Sequence, residues 1–263
     1  MTEDIKAPRT FIQQPDAPLV DTHVHVFRRG MPLVPNPRHA PHYEFTAEQL
    51  EDTLDAHGVK FCVIAAASPW GDCNDYVVQS LRTRPLWRGT VILDPETTTR
   101  QELDQLARDG IVGVRLSFIT HRELPDLDTW AWRRFLWRLA DLDWHVHLHL
   151  DGPRIPQVLP ALERAGVKIV IDHMGRPDVN KPIDGPEFEL FLKFMREHQN
   201  VWSKVSCPER LSVAGPKALN GEQNAYRDVV PFARRVVEQF PDRVLWGTDW
   251  PHPNLKDHMP DDG

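Results

Sequence analysis

Short apolar segments and amphipathic segments alternate along almost the whole chain. The run from Phe61 to Ala67 is continuously apolar, as expected for a strand buried on both faces of a parallel sheet. Helix signals separate such runs, including capping boxes at 46–49 and 98–101 and the helix-ending Gly58. The pattern predicts eight strands, at 20–26, 61–67, 89–93, 111–118, 144–150, 167–173, 201–206 and 244–249. Because eight parallel β/α units close a barrel, we expect an α/β fold, a single (β/α)8 TIM barrel.

The two ends of the chain depart from this pattern. Residues 1–18 are polar, and we expect a loose N-terminal arm rather than a signal peptide or membrane anchor, followed by the barrel domain at 19–263. Only 14 residues follow Asp249, and three of them are prolines, which leaves no sequence for an eighth helix. We therefore expect the last helix to lie beyond Gly263, or a neighbouring molecule to cover the gap.

The composition limits the kinds of partner that the protein can bind. The chain has 31 Lys and Arg against 38 Asp and Glu, a formal charge of −7, which argues against a nucleic-acid or membrane-surface partner. No apolar run approaches ~18 residues. The 3 cysteines are odd in number and unrelated in spacing, so we expect neither a disulfide framework nor a CxxC metal site. These features indicate a reducing, cytoplasmic location.

The first predicted strand carries His23 and His25. Side chains at i and i+2 of a strand point to the same side, so both imidazoles face the barrel interior. Each buried imidazole needs a partner, because an unsatisfied buried polar group costs ~1–3 kcal/mol. The pair is either a chance pair of core histidines or part of a metal or catalytic cluster. The second interpretation requires further ligands and a base from the rest of the chain.

Polar residues also follow or end several other predicted strands. In a barrel of this kind the carboxyl ends of the strands carry the active site. Taken singly, Arg115 could form a strand-end ion pair, Lys204 could be a solvated strand tip, and His173 could be a satisfied core histidine. Together they predict one site at the mouth of the barrel, formed by Ser68, Arg115, His145, His147, His149, His173, Lys204, Arg210 and Asp249.

Several short motifs resemble those of the amidohydrolase superfamily, and more narrowly its lactonase group. They are VDTHVH at 20–25, GVR at 113–115, IDHMG at 171–175, CPERLS at 207–212 and WGTDWPHP at 246–253. The resemblance implies a TIM barrel that hydrolyses a small anionic, carboxylated lactone, such as a pyrone dicarboxylate, a muconolactone or a sugar-acid lactone.

The resemblance also implies roles for individual residues. The catalytic base falls on Asp249, and the histidines beside it are His23, His25 and His173. Substrate binding falls on Arg115, Arg210, Ser68 and Tyr43. Two positions depart from the lactonase pattern. His149 stands where a Tyr is expected on strand five, and His121, with Arg122 beside it, stands where a second Arg is expected after strand four.

The chemistry of these residues agrees with the resemblance. Ring opening needs a base for water, an electrophile for the oxyanion and a grip on the substrate, for which arginines suit carboxylates. His23, His25, His173 and Asp249 would suit at most one divalent ion, Zn²⁺ or Mn²⁺. A guanidinium at Arg115 would repel that ion, and strand four offers no Lys or Glu to bridge two metals. The resemblance to the lactonase group also implies catalysis without a metal. The alternatives are a metal-dependent decarboxylase on the same barrel and a silent barrel that binds an acidic ligand.

Overall fold

The computed structural model describes residues 18–215 and 225–253, and it confirms the TIM barrel. Eight parallel strands hydrogen-bond in sequence order from the first to the last. They are β1 Val20–Val24, β2 Phe61–Ile64, β3 Arg88–Val91, β4 Ile111–Ser117, β5 His145–His149, β6 Lys168–Ile171, β7 Val201–Val205 and β8 Val244–Trp246.

Helices connect the strands on the outside of the barrel. They are α1 Ala47–Ala56, α2 Asp75–Arg82, α3 Arg100–Arg108, α4 Trp130–Asp141, α5 Leu159–Ala165, α6 Pro186–Glu197, α7 Pro208–Leu211 and α8 Val230–Gln239. Thr46 and Gln49 form the predicted capping box of α1. The second predicted box was wrong by one residue, because Thr99, not Thr98, accepts the backbone N–H of Glu102 at the start of α3.

The first and last strands meet through loop residues and side chains rather than through a regular ladder. The Asp249 N–H donates to the His23 carbonyl at 2.8 Å, and the His25 N–H donates to the Trp250 carbonyl at 2.8 Å. The buried Asp21 carboxylate accepts from the Thr248 hydroxyl at 2.6 Å. These contacts close the barrel and bring the ends of β1 and β8 together.

Five predicted strands end earlier than expected. Strands one, two, three, six and eight were predicted to reach Val26, Ala67, Leu93, His173 and Asp249, but each ladder ends two or three residues earlier. The chain leaves the sheet there, for example in the 3₁₀ turn Asp172–Gly175. The residues beyond each ladder are therefore free to turn inward over the mouth of the barrel.

The proline-rich segment after β1 is a long loop, as predicted. It is anchored at both ends because Phe27 and Phe45 exchange backbone hydrogen bonds of 2.8 and 3.0 Å. None of the helices in 18–215 and 225–253 has the length and apolarity needed to cross a membrane. The predicted arm at 1–18, apart from Pro18, and the segment after Pro253 lie outside the described residues.

Candidate active site

The two histidines of the first motif converge with Asp249 at the mouth of the barrel. The Nε2 atoms of His23 and His25 lie 3.2 Å apart. Asp249 Oδ1 lies 3.3 Å from the first and 3.2 Å from the second. His25 Nδ1 is 2.7 Å from the Ala65 carbonyl, which can only accept, so this nitrogen carries a proton. In the neutral ring, His25 therefore presents the lone pair of Nε2 to the site.

Asp249 is held as a carboxylate by its neighbours. Arg210 Nη2 donates to its second oxygen, Oδ2, at 2.6 Å. Burial alone would raise the pKa of Asp249, but the adjacent Arg210 guanidinium holds that pKa well below its usual range. The residue is thus ionised at neutral pH and available as a proton acceptor, with one oxygen bound to a guanidinium and the other facing the imidazoles.

Three of the residues around the mouth have left-handed backbones. The φ angles of His173, Cys207 and Asp249 are 51°, 59° and 66°. This conformation costs a residue other than glycine roughly 1–2 kcal/mol, and it clusters at functional sites. All three residues follow the end of a strand, and the turn directs each side chain back toward the barrel axis. His173 Nδ1 then lies 2.7 Å from the Ser206 hydroxyl.

Asp172 is the centre of a group of buried polar contacts directly below these residues. Arg115 donates to Asp172 Oδ2 from Nε at 3.2 Å and from Nη2 at 2.8 Å. His147 Nε2 bonds to Oδ1, and His23 Nδ1 lies 3.2 Å from the same oxygen. Burial tends to raise the pKa of Asp172, but His147 and Arg115 hold it well below its usual range. Asp172 is therefore a buried carboxylate that joins β4, β5 and β1.

Lys204 lies on the other side of His23 and is not a solvated strand tip. Only 2% of Lys204 is exposed. Its Nζ donates to the Thr22 carbonyl at 2.6 Å and lies 3.3 Å from His23 Nδ1. Burial lowers the pKa of Lys204 to about 8, so the side chain is largely protonated at neutral pH. The sequence signal for this buried contact was the position of Lys204 within the apolar strand predicted at 201–206.

The residues predicted to bind substrate occupy different positions around the mouth. Arg115 donates hydrogen bonds to Asp172 and, from Nη1 at 2.8 Å, to the Ala66 carbonyl. Ser68 is half-buried at the start of a 3₁₀ turn, and Tyr43 packs on Phe27 with ring centroids 5.8 Å apart. The two departures from the lactonase pattern also differ: His149 is buried, whereas His121 is exposed with Arg122.

His149 carries an unused polar atom. Its Nδ1 lies 3.2 Å from the Ser117 hydroxyl, while its Nε2 is buried and has no hydrogen-bond partner within the described part of the chain. Its ring lies 5.8 Å from the ring of His173. His149 therefore retains a free nitrogen beside the predicted catalytic residues, where a substrate group can bind.

The spacing of three of the predicted ligands fits a divalent metal ion. Zn²⁺ binds histidine nitrogens and carboxylate oxygens at about 2.0–2.2 Å, so tetrahedral ligands are a little over ~3 Å apart. The His23, His25 and Asp249 atoms described above have that spacing. His173 instead groups with His23 and Asp172, and with Cys207 and Asp249. The predicted set of four ligands is therefore not one cluster within the described residues.

Comparison with known proteins assigns the family. A family model described as amidohydrolase matches residues 20–263. The chain belongs to the amidohydrolase family. The 2-pyrone-4,6-dicarboxylate hydrolase of Comamonas testosteroni is 50% identical to it over 247 residues, covering 93% of this chain and 80% of that protein. The 4-sulfomuconolactone hydrolase of Hydrogenophaga intermedia is 31% identical over 261 residues, covering 97% and 82%.

One solved structure of similar fold carries the same pyrone dicarboxylate hydrolase description as the first of these relatives. It is the crystal structure of a probable 2-pyrone-4,6-dicarboxylic acid hydrolase from Acinetobacter baumannii with citric acid bound. It matches with a TM-score of 0.78 and 31% identity, covering 89% of this amidohydrolase and 85% of the other chain. The predicted family and the prediction of an amidohydrolase-superfamily enzyme are confirmed, whereas the roles of individual residues stay predictions.

Sequence reasoning missed Asp172 as a site residue of this amidohydrolase. It lies inside the quoted IDHMG motif, immediately before His173, and a carboxylate at the end of a buried strand was the available signal. The contacts that make it central come from residues 57 and 25 positions away along the chain. No local pattern indicates those partners.

Proposed function

We propose that this amidohydrolase opens a small carboxylated lactone by attack of a water molecule that Asp249 deprotonates. The observation that carries the proposal is the Asp249 carboxylate, which has Arg210 on one oxygen at 2.6 Å and two imidazole nitrogens within 3.3 Å of the other. The relatives named for a pyrone dicarboxylate and a sulfomuconolactone support an anionic lactone as the substrate class.

The residues divide the work of the reaction. Water attacks the lactone carbonyl carbon while Asp249 accepts one of its protons. The carbonyl oxygen becomes an oxyanion, which an imidazole N–H group of the cluster stabilises by hydrogen bonding. When the tetrahedral intermediate collapses, the ring C–O bond breaks and the leaving ring oxygen takes up the proton that Asp249 accepted, while the new carboxylic acid releases the second proton of the water to solvent. The products are a carboxylate and a hydroxyl group on one open chain.

Arg210 couples substrate binding to the strength of the base. In the free enzyme its guanidinium lowers the proton affinity of Asp249, which weakens the residue as a base. A substrate carboxylate that binds Arg210 brings negative charge to the guanidinium and offsets this effect. Asp249 thus becomes a better base when an anionic substrate is present, which favours carboxylated lactones over neutral ones.

The metal content of the site is part of the proposal: at most one divalent ion, held by His23, His25 and Asp249. When bound, such an ion supplies Lewis acidity toward the carbonyl and lowers the pKa of a coordinated water. The remaining functions stay with the chain: Arg210 binds the substrate carboxylate, and Ser68, Tyr43 and His149 line its predicted position. The free cysteines Cys62, Cys73 and Cys207 support a cytoplasmic location.

A substrate panel tests the proposal. Purified protein is incubated with pyrone dicarboxylate, muconolactone and sugar-acid lactones, each beside its neutral methyl ester, with and without chelator. We expect ring opening of at least one anionic lactone, a much slower reaction of its ester, and no turnover by Asp249→Asn. Release of CO₂ without ring opening would instead identify a decarboxylase. Loss of activity with chelator and recovery with Zn²⁺ or Mn²⁺ would assign the metal.

A further inference from the structure

We propose that Lys204 is a positioning residue that keeps the proton of His23 on Nε2. Its ammonium group donates to His23 Nδ1, so the opposite nitrogen of the neutral ring is the N–H that faces Asp249 and the substrate. The proposal deepens the proposed function, since it assigns the oxyanion donor of that same site. It also has a consequence for metal binding that can be tested without any substrate.

The first argument comes from the acceptors available to Lys204. Its Nζ is buried, and the two acceptors within its reach among the described residues are the Thr22 carbonyl at 2.6 Å and His23 Nδ1 at 3.3 Å. A buried ammonium group needs hydrogen-bond acceptors for its protons. If His23 carried its proton on Nδ1, two donors would face each other at this distance and Lys204 would lose one of its acceptors.

The second argument comes from the opposite edge of the His23 ring and does not involve Lys204. His25 donates from Nδ1 to the Ala65 carbonyl, so the Nε2 of neutral His25 is an acceptor. This atom lies 3.2 Å from His23 Nε2. With the proton of His23 on Nδ1, two lone pairs would meet at that distance. Lys204 and His25 therefore both favour the proton on Nε2.

Asp172 is the competing partner of His23 Nδ1, at 3.2 Å. Its carboxylate already accepts two hydrogen bonds from Arg115 and one from His147. Asp172 therefore does not depend on a proton from His23, whereas Lys204 depends on the lone pair of His23. Because Asp172 has its hydrogen bonds without His23, the contact with Lys204 determines which nitrogen of His23 carries the proton.

The same tautomer opposes metal binding. A metal ligand must offer a lone pair, so His23 can coordinate an ion through Nε2 only if its proton moves to Nδ1. Lys204 disfavours that move and adds a buried positive charge beside the ligands. Lys204 thus favours His23 as a hydrogen-bond donor over His23 as a metal ligand. Its removal is expected to weaken catalysis and to strengthen metal binding.

Nuclear magnetic resonance tests the tautomer directly. Chelator-treated protein with ¹⁵N-labelled histidine is examined by long-range ¹H–¹⁵N correlation near neutral pH, and the His23 signals are identified by their loss in His23→Asn. We expect protonated Nε2 and unprotonated Nδ1 in the wild type. A protonated Nδ1 in the metal-free wild type would overturn the proposal, and this outcome needs neither a variant nor a substrate.

Variants test the role of Lys204. In Lys204→Met we expect a shift of the His23 proton toward Nδ1, a fall in kcat of roughly tenfold or more with little change in KM, and Zn²⁺ binding tighter by roughly tenfold or more. Lys204→Arg keeps a cationic donor and should retain part of the wild-type tautomer. The control Lys193→Met removes an exposed lysine of α6 and should change none of these quantities.

The two proposals fail in different ways. If no lactone is a substrate, the proposed function fails while the tautomer and Zn²⁺ titration still decide the role of Lys204. If Lys204→Met binds Zn²⁺ no tighter than the wild type and leaves the His23 tautomer unchanged, the positioning role is wrong even for an active lactonase. Should Lys204→Met not fold, Lys204→Gln provides a neutral donor for the same measurements.

Discussion

Replacement of Asp172 by Asn should destabilise the fold far more than replacement of a surface aspartate. Asp172 and Arg115 are 0% and 4% exposed, and two hydrogen bonds join them. Asn keeps the size of the side chain but removes its charge. The substitution therefore leaves the Arg115 guanidinium buried without its anion, which is the costly part of the change.

The expected cost follows from this burial. Breaking a buried ion pair by removing one partner costs about 3–5 kcal/mol, because the remaining charge is uncompensated. In a protein of this size such a loss lowers Tm by roughly 10 °C. Asp128→Asn is the matched control, because it removes an aspartate from an ion pair with Arg164 whose side chains are 54% and 52% exposed. An exposed pair contributes about 0–1 kcal/mol.

Urea unfolding followed by circular dichroism measures both variants and a double-mutant cycle. Arg115→Met combined with Asp172→Asn removes the uncompensated charge of Arg115. The double variant should therefore lose less unfolding free energy than the two single variants lose in total, by about 1–3 kcal/mol. A cost below about 1 kcal/mol for Asp172→Asn, or additive losses in the cycle, would refute the reasoning.

Three further predictions concern the site and the pH dependence of stability. Asp249→Asn should retain the fold and less than about a tenth of the wild-type kcat, because the amide cannot accept a proton; a higher kcat removes Asp249 from the role of base. Arg210→Met should weaken the apparent binding of carboxylated lactones by about 2–4 kcal/mol and that of their neutral esters much less. Equal losses of affinity for both would show that Arg210 does not bind the substrate carboxylate. His145, whose pKa burial lowers to about 4, binds its proton less readily when folded than when unfolded. It contributes stability that is present above about pH 6.5 and is lost as the pH falls toward 4, about 2 kcal/mol between pH 7 and pH 5. In urea unfolding across this range, His145→Gln should be less sensitive to acid than the wild type, and an unchanged slope would show that His145 does not contribute.

The barrel and the place of its active site could be predicted from the sequence because both depend on local patterns. Apolar runs of strand length, helix caps such as Thr46 and the order of the segments predict parallel β/α units. Parallel strands present their carboxyl ends at the same edge, so His23, His25 and Asp249 could be placed together before any contact was known. Strand ends were predicted less well, because the ladders stop before the sequence pattern does, as at Ile171, two residues before the left-handed His173.

The partners of the site residues were decided only by the tertiary structure. Lys204 and His23 are 181 positions apart, and His25 and Asp249 are 224 apart, so their contacts exist only once the barrel has closed with one particular register. The sequence identifies the chemical groups that face the mouth. It does not determine that Asp172 pairs with Arg115, or that Lys204 lies against His23. These contacts follow from distances between strands that no local pattern encodes.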